Sequence, residues 1–170
     1  MSGISDGVVE LRSIGADDMP LLREWDLLVA TDQPFNYFSD FTRSLDGDAA
    51  AAAISRMLVT LADGTPIGDV SWHSVPYGPN ARSTAFNIGI GLQLPYRGRG
   101  YGSRAQRLLA AYLFASTDVH RVEASTDIDN AAEQRALEKA GFSRESVLRG
   151  AQFRSGQWRD LVVYSRLRSD

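Results

Sequence analysis

Residues 84–116 read TAFNIGIGLQLPYRGRGYGSRAQRLLAAYLFAS, and a change of period inside this stretch decides the fold. Phe86, Ile88, Ile90, Leu92 and Leu94 alternate with Asn87, Gly89, Gly91 and Gln93, the period of a strand with one apolar face. The other face carries two glycines, and glycine inside a strand marks a bulge or a close approach by ligand or backbone. After Pro95 and Tyr96 comes the loop Arg97-Gly98-Arg99-Gly100-Tyr101-Gly102, and then Ala105, Leu108, Leu109, Tyr112 and Leu113 recur at helical spacing through Ala115. Where such a loop opens a helix, unpaired N–H groups and the positive end of the dipole favour an anion. Glycines at 98, 100 and 102 let phosphate oxygens reach the main chain, and Arg97, Arg99 and Arg104 add charge. The dinucleotide fingerprint G-x-G-x-x-G fails, because its third glycine would fall on Ser103.

Working outward, residues 120–126 form the next strand, and the intervening helix makes the two strands parallel through a right-handed crossover. Residues 130–140 read as a helix stopped by Gly141, and 142–153 with 157–167 as a hairpin about Ser155-Gly156. Upstream, 8–14 is a strand and 16–29 an amphipathic helix with Met19, Leu22, Trp25, Leu28 and Val29 on one face. Residues 31–48 read as loop or short helix, with Asp48 capping a short alanine-rich helix through Ile54. A strand pair, 56–61 and 66–75, turns at Asp63-Gly64, and a further turn covers 77–80. The expectation is one α/β domain over residues 1–170: a mixed sheet of about seven strands flanked by helices.

Composition narrows the function. With 170 residues, 44% hydrophobic and 23% charged, the chain is a globular domain large enough for its own core. No apolar run approaches the roughly 18 residues of a membrane span, and residues 1–20 lack a secretory pattern, so the expectation is a cytoplasmic protein without membrane association. The absence of cysteine excludes disulfides and an acyl-cysteine intermediate. Lys139 is the sole lysine and lies outside any Walker A pattern, which removes P-loop NTPases. Two histidines, His73 and His120, are too few for a metal cluster. Residues 70–117 hold five arginines and no acid, while 1–69 hold twelve acids and four arginines. The middle segment is thus built for an anion. A net charge of −3 with one lysine supplies no nucleic-acid footprint.

The loop resembles that of the GCN5-related N-acetyltransferases (GNAT), whose Q/R-x-x-G-x-G/A pattern is met by Arg97, Gly100 and Gly102. Two further markers point to the RimJ/RimL-like branch. Asn130 stands eleven residues before Gly141 in DNAAEQRALEKAGF, and the tail SRESVLRGAQFRSGQWRDLVVYSRLR is similar to the closing hairpin of that branch. The resemblance implies a sheet splayed between its fourth and fifth strands, with acetyl-CoA as co-substrate in the gap. Pyrophosphate would take N–H bonds from Arg97, Gly98, Arg99, Gly100, Tyr101, Gly102 and Ser103. Pantetheine would run along Ile90, Gly91 and Leu92, and an N–H near Leu92 would hold the thioester oxygen. Asn130 would bond the pantetheine arm, or serve as an ordinary N-cap.

Acetylating an amine needs a proton acceptor for the ammonium. Glu123, in mid-strand, is the first candidate, against the alternative of a strand carboxylate paired with an arginine; His73 is the second. The chain departs from the family where a glutamate is replaced by Asn87, a tyrosine by Leu137 and a serine by Glu133, which leaves the proton donor unassigned. Trp25, Phe35, Tyr37, Phe38 and Trp72 are candidates for the acceptor wall, with core packing the alternative for Trp25. The expected partner is a protein N-terminus or a small-molecule amine such as an antibiotic, and the expected state a monomer or homodimer. A rival reading is an inactive CoA-binding or regulatory module.

Overall fold

The computed structural model describes residues 3–29, 54–154 and 156–170. Strands β1 (Ile4–Ser5), β2 (Val9–Arg12), β3 (Ser55–Leu61), β4 (Pro66–Pro76), β5 (Thr84–Leu92), β6 (Arg121–Asp127), β7 (Ser143–Arg154) and β8 (Gln157–Leu167) are interspersed with helices α1 (Met19–Val29), α2 (Tyr101–Ser116) and α3 (Ala131–Lys139). The strands form one mixed sheet in the order β1-β2-β3-β4-β5-β6-β8-β7. Among the described residues only β5 and β6 run parallel, as the helix between them allows.

About seven strands were expected, and eight are present among the described residues. The additional one, Ile4–Ser5, pairs with Leu11 and Glu10, and two residues are too few to show an alternation. The strand expected at 8–14 is confined to Val9–Arg12. The helix expected from residue 16 opens as a 3-10 turn, Ala16–Asp18, and becomes α-helical at Met19. The strand expected at 86–94 occupies Thr84–Leu92 instead. Leu94–Tyr96 closes a 3-10 turn in which Tyr96 N donates to the Gln93 carbonyl at 2.9 Å, because Pro95 has no N–H for a ladder. The loop and alanine-rich helix read at 31–48 and up to Ile54 lie outside the described residues, apart from Ile54 itself.

Alternation across β3 shows how the sheet is clothed. Met57 and Val59 join Val9, Leu11, Val70, Ile88, Val122, Val162 and Tyr164 in a core with Ala105, Leu109 and Leu113 of α2 and Leu137 of α3. Leu58, between them, points the other way and packs with Leu22 and Trp25 of α1. Burying Leu109 and Leu113 almost completely is worth about 2 kcal/mol each. That exceeds the helix propensity lost at Gly102 and Ser103, so tertiary packing decides that α2 forms. Asp69, Ser71 and His73 of β4, Asn87 of β5 and Glu123 of β6 are left on the α1 face.

Candidate active site

All nine residues of β5 pair with β4, from Gly68↔Leu92 to Pro76↔Thr84. With β6 it makes only Phe86↔Val122 and Asn87↔Glu123. Beyond that pair the strands part, and Ala124 to Asp127 pair only with β8. A V-shaped slot therefore opens between the ends of β5 and β6, closed at Asn87 and Glu123. Gln93 N donates to the Ile67 carbonyl at 2.9 Å, which sets the hydrogen-bond phase of the β4–β5 ladder. Gly89 and Gly91 direct their amides to β4, and Ile90 and Leu92 direct theirs to the slot. The Leu92 carbonyl is taken by Arg97 Nε at 2.7 Å.

At the mouth of the slot the chain turns into α2 through two left-handed glycines, Gly98 with φ 73° and Gly100 with φ 81°, a region that side chains other than glycine enter at a cost. The first helical bond runs from Arg104 N to the Gly100 carbonyl at 3.4 Å. Of the amides expected to hold the diphosphate, that of Arg97 is already spent on the Leu94 carbonyl at 3.2 Å, while those of Gly98, Arg99, Gly100, Tyr101, Gly102 and Ser103 meet no backbone acceptor among the described residues, and no acid stands in the first turn. The Ser103 hydroxyl caps inward onto the Gly100 carbonyl at 2.9 Å. A Cβ at Gly102 would lie 3.6 Å from Leu92 Cδ1 and 3.9 Å from Ile90 Cδ1, which seats the start of α2 directly on the strand. The arginines are less available than their sequence neighbourhood suggests. Arg104 pairs with Asp6 at 2.7 Å, whereas Arg99 is exposed and has no ion pair among the described residues.

The register places His73, Asn87, Glu123 and Ser165 in one row across β4, β5, β6 and β8. Paired residues share a face, so both proton-acceptor candidates lie on the side of α1 at the closed end of the slot. Glu123 is 5% exposed. Its Oε2 accepts from the Tyr77 hydroxyl at 2.7 Å and from Arg121 Nε at 3.0 Å. Arg121 also grips Glu145 with two bonds, at 2.7 and 2.6 Å, and lies 5.7 Å over the Tyr77 ring. The Arg121 guanidinium, helped by the Ser165 hydroxyl, holds the Glu145 carboxyl well below the usual carboxylate range. Accepting from Tyr77, Glu123 pushes the phenol upward, and burial adds to the shift. His73 is half-buried on β4.

A family model described as an acetyltransferase (GNAT) domain matches residues 9–143. The chain belongs to the GNAT acetyltransferase family. This GNAT chain is 36% identical, over 113 residues and 66% of its length, to the "Probable N-acetyltransferase YjcK" of Bacillus subtilis, and the match spans 61% of that relative. Among solved structures it resembles the ribosomal L7/L12 alpha-N-protein acetyltransferase RimL, in complex with coenzyme A, with a TM-score of 0.76, 20% identity and 98% of each chain covered. It also resembles the spermidine N-acetyltransferase of Vibrio cholerae in complex with CoA and spermine, with a TM-score of 0.72, 18% identity, and 96% of this chain and 98% of that one covered. At such identities the likeness is one of fold. No helix among the described residues is long and apolar enough to cross a membrane.

Other expected site residues of this GNAT domain fall unevenly about the slot. Asn130 is the N-cap of α3: its Oδ1 accepts from Glu133 N at 3.2 Å and its Nδ2 donates to Thr126 Oγ1 at 3.1 Å. Trp25 is 6% exposed and packs with Leu22 and Leu58. Trp72 meets Tyr112 of α2 edge-on at 6.1 Å, on the face away from His73. Phe35, Tyr37 and Phe38 lie outside the described residues. The arginine that sequence reading offered as an alternative partner of Glu123 is Arg121, but nothing in the sequence signalled the Tyr77 contact or Gln106, the buried amide of α2.

Proposed function

We propose that this chain transfers an acetyl group from acetyl-CoA to a primary amine by direct attack within a ternary complex. The observation that carries the reading is the slot whose mouth is a ring of unsatisfied amides. Gly98 to Ser103 would take the diphosphate, and the outward amides of Ile90 and Leu92 would guide the pantetheine arm and meet charge developing on the thioester oxygen. Acetyl-CoA supplies the activated acyl group. Glycines 89 and 91 keep the α1 face of β5 low beside the slot, so an amine approaching from that side meets no side chain from those positions.

The amine must arrive or become unprotonated. Glu123, at the apex of the slot, is the group we assign to collect its proton, with the Tyr77 hydroxyl placed to relay it. His73 lies two strands away in the same row and is the second choice. The acceptor is a protein N-terminus or a small-molecule amine, the two kinds represented by the RimL and spermidine acetyltransferase neighbours. Titration with acetyl-CoA, followed by thiol release over a panel of peptides, polyamines and aminoglycosides, tests the reading. Saturable binding with turnover on at least one amine is expected. Absence of binding at millimolar cofactor would end the reading, and tight binding without turnover on any amine would leave a cofactor-binding module.

A further inference from the structure

Residues 70–117 carry five arginines and no acid, yet one of the five is neutralised from the far end of the chain. Arg104 donates from Nη1 to Asp6 Oδ2 at 2.7 Å. The other four, Arg82, Arg97, Arg99 and Arg107, have no carboxylate partner among the described residues. Asp6 is fixed by its own turn: Oδ1 accepts from Val8 N and Val9 N, each at 3.0 Å, and Asp6 N donates to the Val9 carbonyl at 3.2 Å. Burial opposes its ionisation, but the bonds from Val9 and Arg104 outweigh it and lower the carboxyl. The carboxylate is therefore charged and aimed at neutral pH.

The register puts this turn beside the glycine loop. Val9 pairs with Leu61 of β3, Thr60 with Pro66 of β4, and Gly68 with Leu92 of β5. The residues just before Val9 therefore stand at the end of the sheet where β5 runs out toward the loop and α2. A cation in the first turn of a helix is disfavoured by the helix dipole, and α2 has no acid of its own there. Asp6 supplies that charge from outside the helix. The pair is partly open to water, with the Arg104 side chain 44% and the Asp6 side chain 27% exposed. A pair so placed is weak, and an anion of higher charge bound nearby can compete for the guanidinium.

We propose that Asp6 is a positioning residue that sets how tightly the cofactor diphosphate is held, by keeping Arg104 turned toward itself. The inference rests on the acetyl-transfer reading above, with the open amides of Gly98 to Ser103 as the seat of the diphosphate. While the pair is intact, the amides bind the diphosphate and Arg104 adds no net charge to their site. Freed from Asp6, Arg104 would add a full positive charge beside the last of those amides. The product CoA carries the same diphosphate as acetyl-CoA, so the restraint weakens both alike. Binding substrate and product less tightly favours turnover by letting the product leave.

Calorimetric titration with acetyl-CoA and with CoA, at low and at high salt, compares the wild type with Asp6→Asn, Arg104→Gln and the double variant. Asp6→Asn keeps the turn, because an amide oxygen accepts the same two N–H bonds, and removes only the charge. It should bind both ligands about fivefold more tightly at low salt, lose that gain at high salt and melt below the wild type. A purely structural role would lower the melting temperature without raising affinity. Arg104→Gln leaves Asp6 unopposed and should weaken both ligands, and the double variant, neutral again, should bind like the wild type. Unchanged or weaker binding by Asp6→Asn, undiminished binding by Arg104→Gln, or the same gain in the double variant overturns the proposal while leaving acetyl transfer intact. Failure of the wild type to bind acetyl-CoA overturns both.

Discussion

The Tyr77 hydroxyl donates to Glu123 Oε2 at 2.7 Å, joining an exposed turn residue to a buried strand carboxylate 46 positions later. The bond gives the carboxylate a route to the surface on the α1 side. If the amine proton leaves by it, Tyr77→Phe should lower kcat/KM about tenfold at neutral pH with the acetyl-CoA KM unchanged. Its stability cost should stay near 1 kcal/mol, that of one lost hydrogen bond. Steady-state kinetics checks this, and wild-type kcat/KM in Tyr77→Phe would remove the relay.

Gly100 and Gly102 should respond differently to alanine. Gly100 holds φ 81° with open space where a Cβ would stand, so Gly100→Ala carries backbone strain of about 1–2 kcal/mol and should raise the cofactor KM by tilting the amides. At Gly102 a Cβ meets Leu92 Cδ1 at 3.6 Å, an ordinary contact, and Gly102→Ala should melt at or slightly above the wild-type temperature. Thermal melts together with acetyl-CoA titrations separate the two effects.

Arg121 ties Glu123 and Glu145 together, and removing it leaves a buried carboxylate with one donor. Arg121→Met should destabilise by roughly 3 kcal/mol, read from urea unfolding at pH 7. The Glu145 carboxyl lies lower in the folded chain than its ordinary value of 4.5. Its contribution is therefore complete above about pH 5 and is lost as pH falls toward the folded value, because the unfolded chain takes up the proton first. Arg121→Met should flatten that acid limb of stability. An equally steep limb in the variant would place acid sensitivity elsewhere.

Asp127 closes the far end of β6. It is 2% exposed and receives Arg154 and Arg159, the latter at 3.0 Å. Burial opposes its ionisation, but the arginine bonds win and its carboxyl is lowered. Asp127→Asn should cost about 3–5 kcal/mol by removing the buried charge that both Arg154 and Arg159 bond, measured by the same urea unfolding.

The parts of this fold visible in sequence were those written in local period. Phe86, Ile88, Ile90 and Leu92 announced a half-buried strand, and the glycines at 98, 100 and 102 announced a turn with a free backbone. Those two segments place the anion loop at the end of a strand, whereas the slot beside it was implied only by the family resemblance. What stayed hidden was set by contacts between distant positions. The Arg104–Asp6 pair spans 98 residues, so the loop's charge looked larger than it is. Glu123 read as a choice between base and ion-pair partner, and the fold gives it Arg121 two residues away and Tyr77 from another strand end. Glu133 read only as a departure from the family's serine; the fold makes it the residue whose N–H donates to the Asn130 side chain at 3.2 Å. Leu94 fitted the strand alternation, but the constraint of Pro95 outweighed it.

Amide chemical shifts during a titration with acetyl-CoA test the central claim most directly. The largest perturbations should fall on Gly98 to Ser103, with Ile90 and Leu92 following, and little should move at Gly89 and Gly91, whose amides are committed to β4. Saturation with the shifts concentrated elsewhere, or spectra unaltered at millimolar cofactor, would contradict the account.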